Sequence, residues 1–281
     1  MLLLFTDLDA TVLDSDSYSW EPARPAIDRL RAEEIPWVFV TSKTRAEVEF
    51  WRRETANTHP YIVENGAALV VPHGYFPSPV SNGRPLDGSD IVEWGTPYSL
   101  LVDALQRAAE KCRCRVRGFH DMTAAEVAVE TKLPLEQARL ARMRDFDEPF
   151  VVLDPDRANR LVQAIREEGL RCVSGSRFLH ITGANDKGIA TAALQRLYKE
   201  AYGPLTTVGL GDSFNDLPLL ENVSIPILIR SLHADELGKL VPQAQITSAP
   251  GPEGWNRAVL DVIRDRVNQA AESCPAGSTQ R

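Results

Sequence analysis

Cysteine, methionine and long apolar runs are what this chain has least of. Its 281 residues include four cysteines and three methionines. Cys112 and Cys114 enclose a single residue, and neither a second CxxC nor a nearby pair of histidines accompanies them, so a zinc site is not expected. With Cys172 and Cys274 they read as free thiols of a reducing compartment. No apolar stretch approaches the roughly 20 residues that span a bilayer, and the opening residues lack the basic region of a secretory signal. The expectation is a cytoplasmic protein with no membrane partner. A basic excess is missing too: 31 Lys and Arg against 39 Asp and Glu give a formal net charge of −8. That balance argues against non-specific nucleic-acid binding, but not against an anionic substrate held in a local basic pocket. The residues leave the oligomeric state open.

What is present is an alternation of strand-like and helical segments, in a chain long enough to bury a substantial core. Leu2-Leu3-Leu4-Phe5 reads as a buried strand, Pro22 to Glu33 as a helix, and Trp37 to Val40 as the next strand. Thr44 with Glu47 three residues on makes a capping-box pattern for a helix to about Thr55. Tyr61 to Val63 and Ala68 to Val71 flank a Glu64-Asn65-Gly66 turn. Such a βαβ opening implies a parallel sheet whose ligand site lies beyond the carboxyl ends of its strands. From about Pro72 to Gly95, seven Pro and Gly residues between Pro72 and Gly88 suggest a linker or long loop. The middle region then reads as an α/β module with helix starts at Thr96-Pro97, Thr123 and Pro134, and the first pattern resumes near Asn185. Only Ala271 to Arg281 has the composition of a disordered tail.

Two acidic clusters, each at the end of an apolar run, carry the chemistry. Asp7 and Asp9 follow the first strand and, by strand alternation, point the same way. Asp212 and Asp216 follow the run Leu205 to Leu210, four apart, near one face of a helix opened by Ser213. Four carboxylates at one sheet edge repel unless a cation sits among them, and Mg²⁺ suits a set of oxygen ligands. Asp7, Asp9, Asp212 and Asp216 are therefore the expected metal set, with the Asp9 contribution made by its backbone carbonyl. Because the clusters must share one site, residues 1–84 and 185–281 form one expected domain, and 85–184 a cap inserted into it. A carboxylate can attack phosphorus and split hydrolysis into two displacements, which makes Asp7 the candidate nucleophile and Asp9 the candidate acid and then base.

The order of these features resembles the haloacid dehalogenase superfamily: DxDxT at residues 7–11, a Thr after the next strand, a Lys opening a late helix, then GDSxND at 211–216. The resemblance implies a Rossmann-like α/β core with an α/β cap, Mg²⁺, and catalytic roles for Asp7, Asp9, Thr41 on the phosphoryl group and Lys187 orienting Asp7. Retention of the second Asp favours phosphoryl chemistry over carbon–halogen cleavage. One departure is Ala10, where the superfamily usually has Gly; a positive φ there would strain it.

Further stretches from Val40 to Asn256, among them Thr41-Ser42-Lys43-Thr44, Glu64-Asn65-Gly66-Ala67, Arg144-Asp145-Phe146-Asp147-Glu148 and Gly251 to Asn256, look like the mannosyl-3-phosphoglycerate phosphatases. That resemblance implies a phosphorylated sugar acid as substrate and mannosylglycerate, a compatible solute, as product. It suggests Ser42, Lys43 and Thr44 for oxygens near the phosphate or glycerate, and Asn256 with a turn at Gly254 for the carboxylate. Glu148 would accept from sugar hydroxyls, Arg177 and His180 would donate, Asn215 would join the substrate contacts, and Asn65 would orient the catalytic loop. Phosphatases of glucosyl-3-phosphoglycerate, sucrose phosphate or trehalose phosphate, and a non-catalytic phosphosugar sensor, are the alternatives.

Overall fold

The computed structural model describes residues 1–175 and 177–272. Its centre is a parallel sheet. β1 (Leu2–Thr6), α1 (Arg24–Ala32), β2 (Trp37–Phe39) and α2 (Arg45–Glu54) form the opening βαβα run, and β3 (Tyr61–Val63) and β4 (Ala68–Pro72) turn back as a hairpin. Capping selects the α2 start as the sequence implies: Thr44 Oγ1 accepts from Glu47 N–H while the Glu47 carboxylate takes Thr44 N–H. β5 (Arg84–Leu86) and β6 (Ser89–Glu93) follow. β5 and β6 pair antiparallel with each other, and β6 also pairs antiparallel with β4, so the expected loop is instead a hairpin, and the boundary expected after residue 84 falls inside β5. Asp87 and Gly88, with φ of 50° and 77°, make the two-residue turn that such a hairpin favours.

The second body runs through α3 (Tyr98–Cys112), β7 (Val116–Gly118), α4 (Ala124–Thr131), α5 (Leu135–Ala141), β8 (Asp147–Val152), α6 (Ala158–Glu167), β9 (Arg171–Ser174) and β10 (Leu179–Thr182). Its four strands form one antiparallel sheet in the order β7-β8-β10-β9. One face buries Phe150 and Ile181 against Leu101, Leu105, Leu161 and Ile165 of α3 and α6. The other face looks towards the first body, and we refer to the whole as the cap.

The chain then returns through α7 (Lys187–Tyr202), β11 (Thr206–Gly211), α8 (Leu217–Glu221), β12 (Ile225–Arg230), α9 (Ala234–Leu240), β13 (Gln245–Pro250) and α10 (Gly251–Glu272). The parallel sheet has the order β13-β12-β11-β1-β2. Alternation along β1 explains why Leu2-Leu3-Leu4-Phe5 is apolar throughout. Leu2 and Leu4 pack with Ile27, Leu30, Trp255 and Val259 on one face, whereas Leu3 and Phe5 pack with Ala190, Leu194 and Tyr198 on the other. Each such buried side chain contributes about 1.5–3 kcal/mol. Since β1 has β2 on one side and β11 on the other, the strand order reverses at β1, and a crevice beyond its carboxyl end is where such sheets bind ligands.

Three cysteines, Cys112, Cys114 and Cys172, are free thiols. Cys274 and the tail beyond 272 lie outside the described residues, although Ala271 and Glu272 of the expected tail belong to α10. Among the described residues no helix is long and apolar enough to cross a membrane.

Candidate active site

Asp7 is the first residue past β1, and its N–H donates to Leu210 O of β11 at 2.9 Å, so the parallel register delivers both acidic clusters to one point. The loop behind Asp7 is tied down from α10, where buried Trp255 Nε1–H donates to Thr6 Oγ1 at 2.9 Å. Ala10 has φ 55°, so the methyl group sits in the left-handed region that Gly enters without penalty. Thr11, the last residue of the DxDxT stretch, turns its hydroxyl to Asp212 Oδ1 at 3.4 Å.

Asp7, Asp212 and Asp216 are all buried, with one carboxylate oxygen from each within 4.8 Å of the others. Lys187, fully buried at the start of α7, reaches Asp7 Oδ1 at 2.7 Å and Asp216 Oδ1 at 2.5 Å. Asp216 has no oxygen left over: its Oδ2 accepts from Asp212 N–H at 3.0 Å and Ser213 N–H at 3.1 Å. A single ammonium therefore faces three carboxylates. Burial, with the charges of Asp216 and Asp9, pushes the Asp7 carboxyl up to about 7 despite Lys187. Burial, then Asp216 and Asp7, hold Asp212 well above the carboxylate range. Burial alone would lower Lys187, but Asp216 and Asp7 raise its ammonium above the ordinary value. These groups fit a hard divalent cation, because the charge that Lys187 leaves uncompensated is what such an ion would neutralise.

The Asp9 side chain leaves this cluster and forms an ion pair with buried Lys43 at 3.0 Å. Lys43 also binds Glu47 at 3.2 Å and lies over the Tyr18 ring. Thr41 is fully buried behind the wall, its hydroxyl accepting from Lys43 N–H at 3.2 Å. Arg144, from the loop after α5, reaches across to Ser42 O at 2.8 Å and also binds Asp147 at 3.1 Å. A cavity between the two bodies is lined by Asp7, Asp9, Asp212, Ser213 and Asn215 at its base, and by Ser42, Lys43, Arg144, Arg177 and His180 around them. Its volume is small, about 80 Å³, against the roughly 300–1,000 Å³ of sites for drug-sized ligands. The cap is thus seated close over the acids.

The structure brings Asp7, Asp9, Ser42, Lys43, Arg177, His180, Asp212 and Asn215 onto one cavity, with Lys187 and Asp216 directly behind. Four expected substrate residues, Thr44, Asn65, Glu148 and Asn256, do not line this cavity, and the Asn65 amide is engaged by Asp147 and Asn215. Thr44 is fully buried, capping α2 and donating to Leu140 O at 2.9 Å. Asn256 stands on α10, where its Oδ1 accepts from Ala26 N–H at 2.9 Å, and Gly254 is helical rather than a turn, pressed so close to Ala249 O that no Cβ fits. Glu148 points away from the cavity. On β8, Glu148 shares a face with Phe150, and its carboxylate accepts from Tyr98 OH of α3 at 2.7 Å and from His120 N–H at 2.9 Å. Asp147 and Pro149 share the opposite face of β8, and of the two only Pro149 lines the cavity. Arg144, Asp147, Glu47, Tyr18 and Trp255 were missed. The Arg144-Asp147 spacing and the Thr44-Glu47 capping pair were the signals to hand, but neither distinguishes a site from a surface pair.

The turn between β3 and β4 is unusual. Glu64, Asn65 and Gly66 have φ of 47°, 57° and 84°, three left-handed residues in succession, of which the non-glycine ones cost roughly 1–2 kcal/mol each. Gly66 is required there, since a Cβ would come within 2.0 Å of Asp186 O at the cap of α7. Buried Glu64 accepts backbone N–H groups from Asp145 and Phe146 of the cap, and burial pushes its carboxyl up to about 8 against the Arg144 charge.

Comparison with known proteins decides the family. Residues 4–76 match the model of the haloacid dehalogenase-like hydrolases. The glucosyl-3-phosphoglycerate/mannosyl-3-phosphoglycerate phosphatase of Methanococcoides burtonii is 38% identical over 272 residues, covering 95% of this chain and 98% of that protein. The chain belongs to the haloacid dehalogenase-like hydrolases. A phosphatase of the same name from Persephonella marina is 36% identical, covering 94% of this chain and 98% of its own length. The fold is similar to that of a Thermoplasma acidophilum protein of known crystal structure, with a TM-score of 0.66 at 17% identity over 92% of this chain and 96% of that one. The hydrolase thus has the α/β fold and the superfamily that its motif order suggested, and its relatives are phosphoric monoester hydrolases.

Proposed function

We propose that the protein is a Mg²⁺-dependent phosphatase that removes phosphate from mannosyl-3-phosphoglycerate or glucosyl-3-phosphoglycerate through an aspartyl phosphate on Asp7. The names of its two full-length relatives support the substrate class, and both sugars appear in those names. One observation carries the reading: Asp7 and Asp212 lie at the base of a cavity between core and cap whose walls bear Lys43, Arg144, Arg177 and His180. A phosphorylated sugar acid brings two anionic groups and several hydroxyls, and this lining supplies cations and hydrogen-bond donors for them.

In this reading Asp7 Oδ attacks phosphorus, the bond from phosphorus to the glycerate oxygen breaks, and Asp9 delivers a proton to that leaving oxygen. Water then attacks the aspartyl phosphate, its proton passes to Asp9, and inorganic phosphate leaves as the Asp7 carboxylate is restored. Lys187 keeps Asp7 in place for both steps, and Lys43 keeps Asp9 facing the cavity. Asp7 and Asp212, with the Asp9 carbonyl, would hold the Mg²⁺, which when bound screens the repulsion between Asp7 and the phosphate dianion. Asp216, both of whose oxygens are engaged, stands behind as an orienting group. Ser42, Arg177, His180 and Asn215 are the proposed substrate contacts, with Thr41 one bond behind on the phosphoryl side. The sugar enters with the cap raised, and closure excludes bulk water.

Initial rates of phosphate release over a panel of mannosyl- and glucosyl-3-phosphoglycerate, sucrose phosphate, trehalose phosphate and 3-phosphoglycerate test this. The expected outcome is a kcat/KM for one or both phosphoglycerate glycosides at least tenfold above every other member, abolished by EDTA and restored by Mg²⁺. A preference for a substrate without glycerate would refute the substrate class, and sugar phosphate binding without any release would leave a sensor.

A further inference from the structure

An unbroken line of side chains joins the cap to the catalytic acids, and the chemistry proposed above does not use its cap end. Asp147, fully buried on β8, accepts from three groups: His180 Nδ1 at 2.7 Å and Arg144 at 3.1 Å on one oxygen, and Asn65 Nδ2 at 2.7 Å on the other. Against burial, His180, Arg144 and Asn65 hold its carboxyl below the ordinary value. Asn65 Oδ1 then accepts from Asn215 Nδ2 at 2.9 Å, and Asn215 Oδ1 accepts from Ser213 Oγ at 2.5 Å. Ser213 N–H donates to Asp216, which binds Lys187, which binds Asp7.

The direction of this line follows from chemistry. An ionised Asp147 can only accept, so Asn65 must offer it the amide NH₂ and keep its carbonyl for Asn215, and Asn215 must in turn offer its carbonyl to Ser213. Asn65 is also the middle residue of the left-handed turn, whose backbone touches each neighbouring catalytic segment. Its N–H donates to Thr41 O at 3.0 Å, and its O accepts from Asn185, two residues before Lys187, at 3.2 Å. Strained backbone of this kind persists where its surroundings over-determine it. Part of those surroundings is the cap: Asp147 on the Asn65 side chain, and the Asp145 and Phe146 N–H groups on Glu64. Lifting the cap would separate those bonds and take from Asn65 the acceptor that orients it.

We propose that Asp147 is a positioning residue that couples cap closure to the arrangement of the catalytic acids, by fixing Asn65 and through it Asn215, Ser213, Asp216 and Lys187. For its effect on turnover this rests on the phosphatase reading; as a latch it does not. Asp147 itself does not line the cavity.

An exchange of the two residues tests it. In Asn65→Asp two carboxylates face each other across the boundary, whereas Asp147→Asn keeps the shape but removes the charge. Combining the substitutions rebuilds every bond: the new amide at 147 donates to the new carboxylate at 65, which still accepts from Asn215, and the carbonyl at 147 still accepts from Arg144 and His180. Two readouts are needed, kcat on p-nitrophenyl phosphate with Mg²⁺, and hydrogen exchange of the Asp145 and Phe146 amides without substrate. Asn65→Asp is expected to lower kcat by roughly ten- to hundredfold, the size of a lost charged hydrogen bond, and to speed exchange at both amides, with Asp147→Asn milder in both. The exchanged pair should recover at least tenfold of the kcat lost in Asn65→Asp and return the amides to slow exchange. The proposal is overturned if the exchanged pair is no better than Asn65→Asp in both readouts. It is also overturned if the amides open with kcat unchanged, or kcat falls with the amides still protected. If the unmodified protein releases no phosphate from any ester, the phosphatase reading fails, and the exchange measurement alone decides whether Asp147 holds the cap.

Discussion

Asp7→Asn is expected to leave the fold intact and to lower turnover by on the order of 10⁴-fold or more, as loss of a covalent nucleophile does. The amide has the carboxylate's shape and can still accept from Lys187, but it is a poor nucleophile at phosphorus. The same substitution has an opposite effect on metal-free stability. Burial and the neighbouring acids raise the Asp7 carboxyl in the folded protein to about 7 from 3.8. Between those values the folded state holds a proton that the unfolded state has released. Stability therefore falls as pH rises through that window and stays low above it. Asn has no such slope. In EDTA the variant should melt above the parent at pH 7.5 and level with it near pH 4, and Mg²⁺ at pH 7.5 should raise the parent's Tm more than the variant's. Thermal melts at the two pH values, with EDTA or Mg²⁺, check both signs.

The two late acids are expected to separate cleanly. Asp216→Ala removes the partner of both Lys187 and the Asp212 and Ser213 N–H groups. Because Lys187 is fully buried, it is left with Asp7 alone, and breaking a buried pair in this way costs about 3–5 kcal/mol. Urea titration should show that loss with or without Mg²⁺. The Asp212 side chain takes only a long hydrogen bond from Thr11 among the described residues, and its carboxyl is held up by burial and like charges. Asp212→Ala should therefore match or exceed the parent's stability in EDTA. It should instead raise the Mg²⁺ concentration for half-maximal activity roughly hundredfold or more, since even residues that merely support a ligand cost ten- to hundredfold. A stability loss from Asp212→Ala as large as that from Asp216→Ala would show that both serve the loop rather than the ion.

The core acids were legible in the sequence because their positions follow from local facts: apolar runs end, and Asp7 and Asp212 stand just beyond them. Lys187 was legible through chain order, as the start of a helix between the cap and the last acids. The cap was not. Glu148 was expected to face the sugar, but on a strand one residue reverses the face, and Glu148 turns to Tyr98 and His120 instead. The direction was set by Phe150 packing under α3 and α6, a tertiary contact that no local pattern shows. Asn256 was read as a ligand through the family resemblance and Gly254 as a turn, yet that stretch opens α10 and ties the site down through Trp255 and Thr6. The same bias made a loop of residues 72–95, where Pro85 is tolerated because β5 is an edge strand. Asn65 was singled out as orienting the catalytic loop, but its acceptor in the cap is fixed by tertiary packing alone.

The central claim, that phosphate passes through Asp7, is tested most directly by acid-quenched single turnovers with mannosyl- or glucosyl-3-phosphoglycerate labelled in the phosphate. Peptide mapping should find the label on the peptide that contains Asp7, forming and decaying within one turnover. In Asp9→Asn, which lacks the acid and then the base, both formation and decay should be slower. Complete turnover in which the label passes to inorganic phosphate and never resides on that peptide, in the parent or in Asp9→Asn, would contradict it.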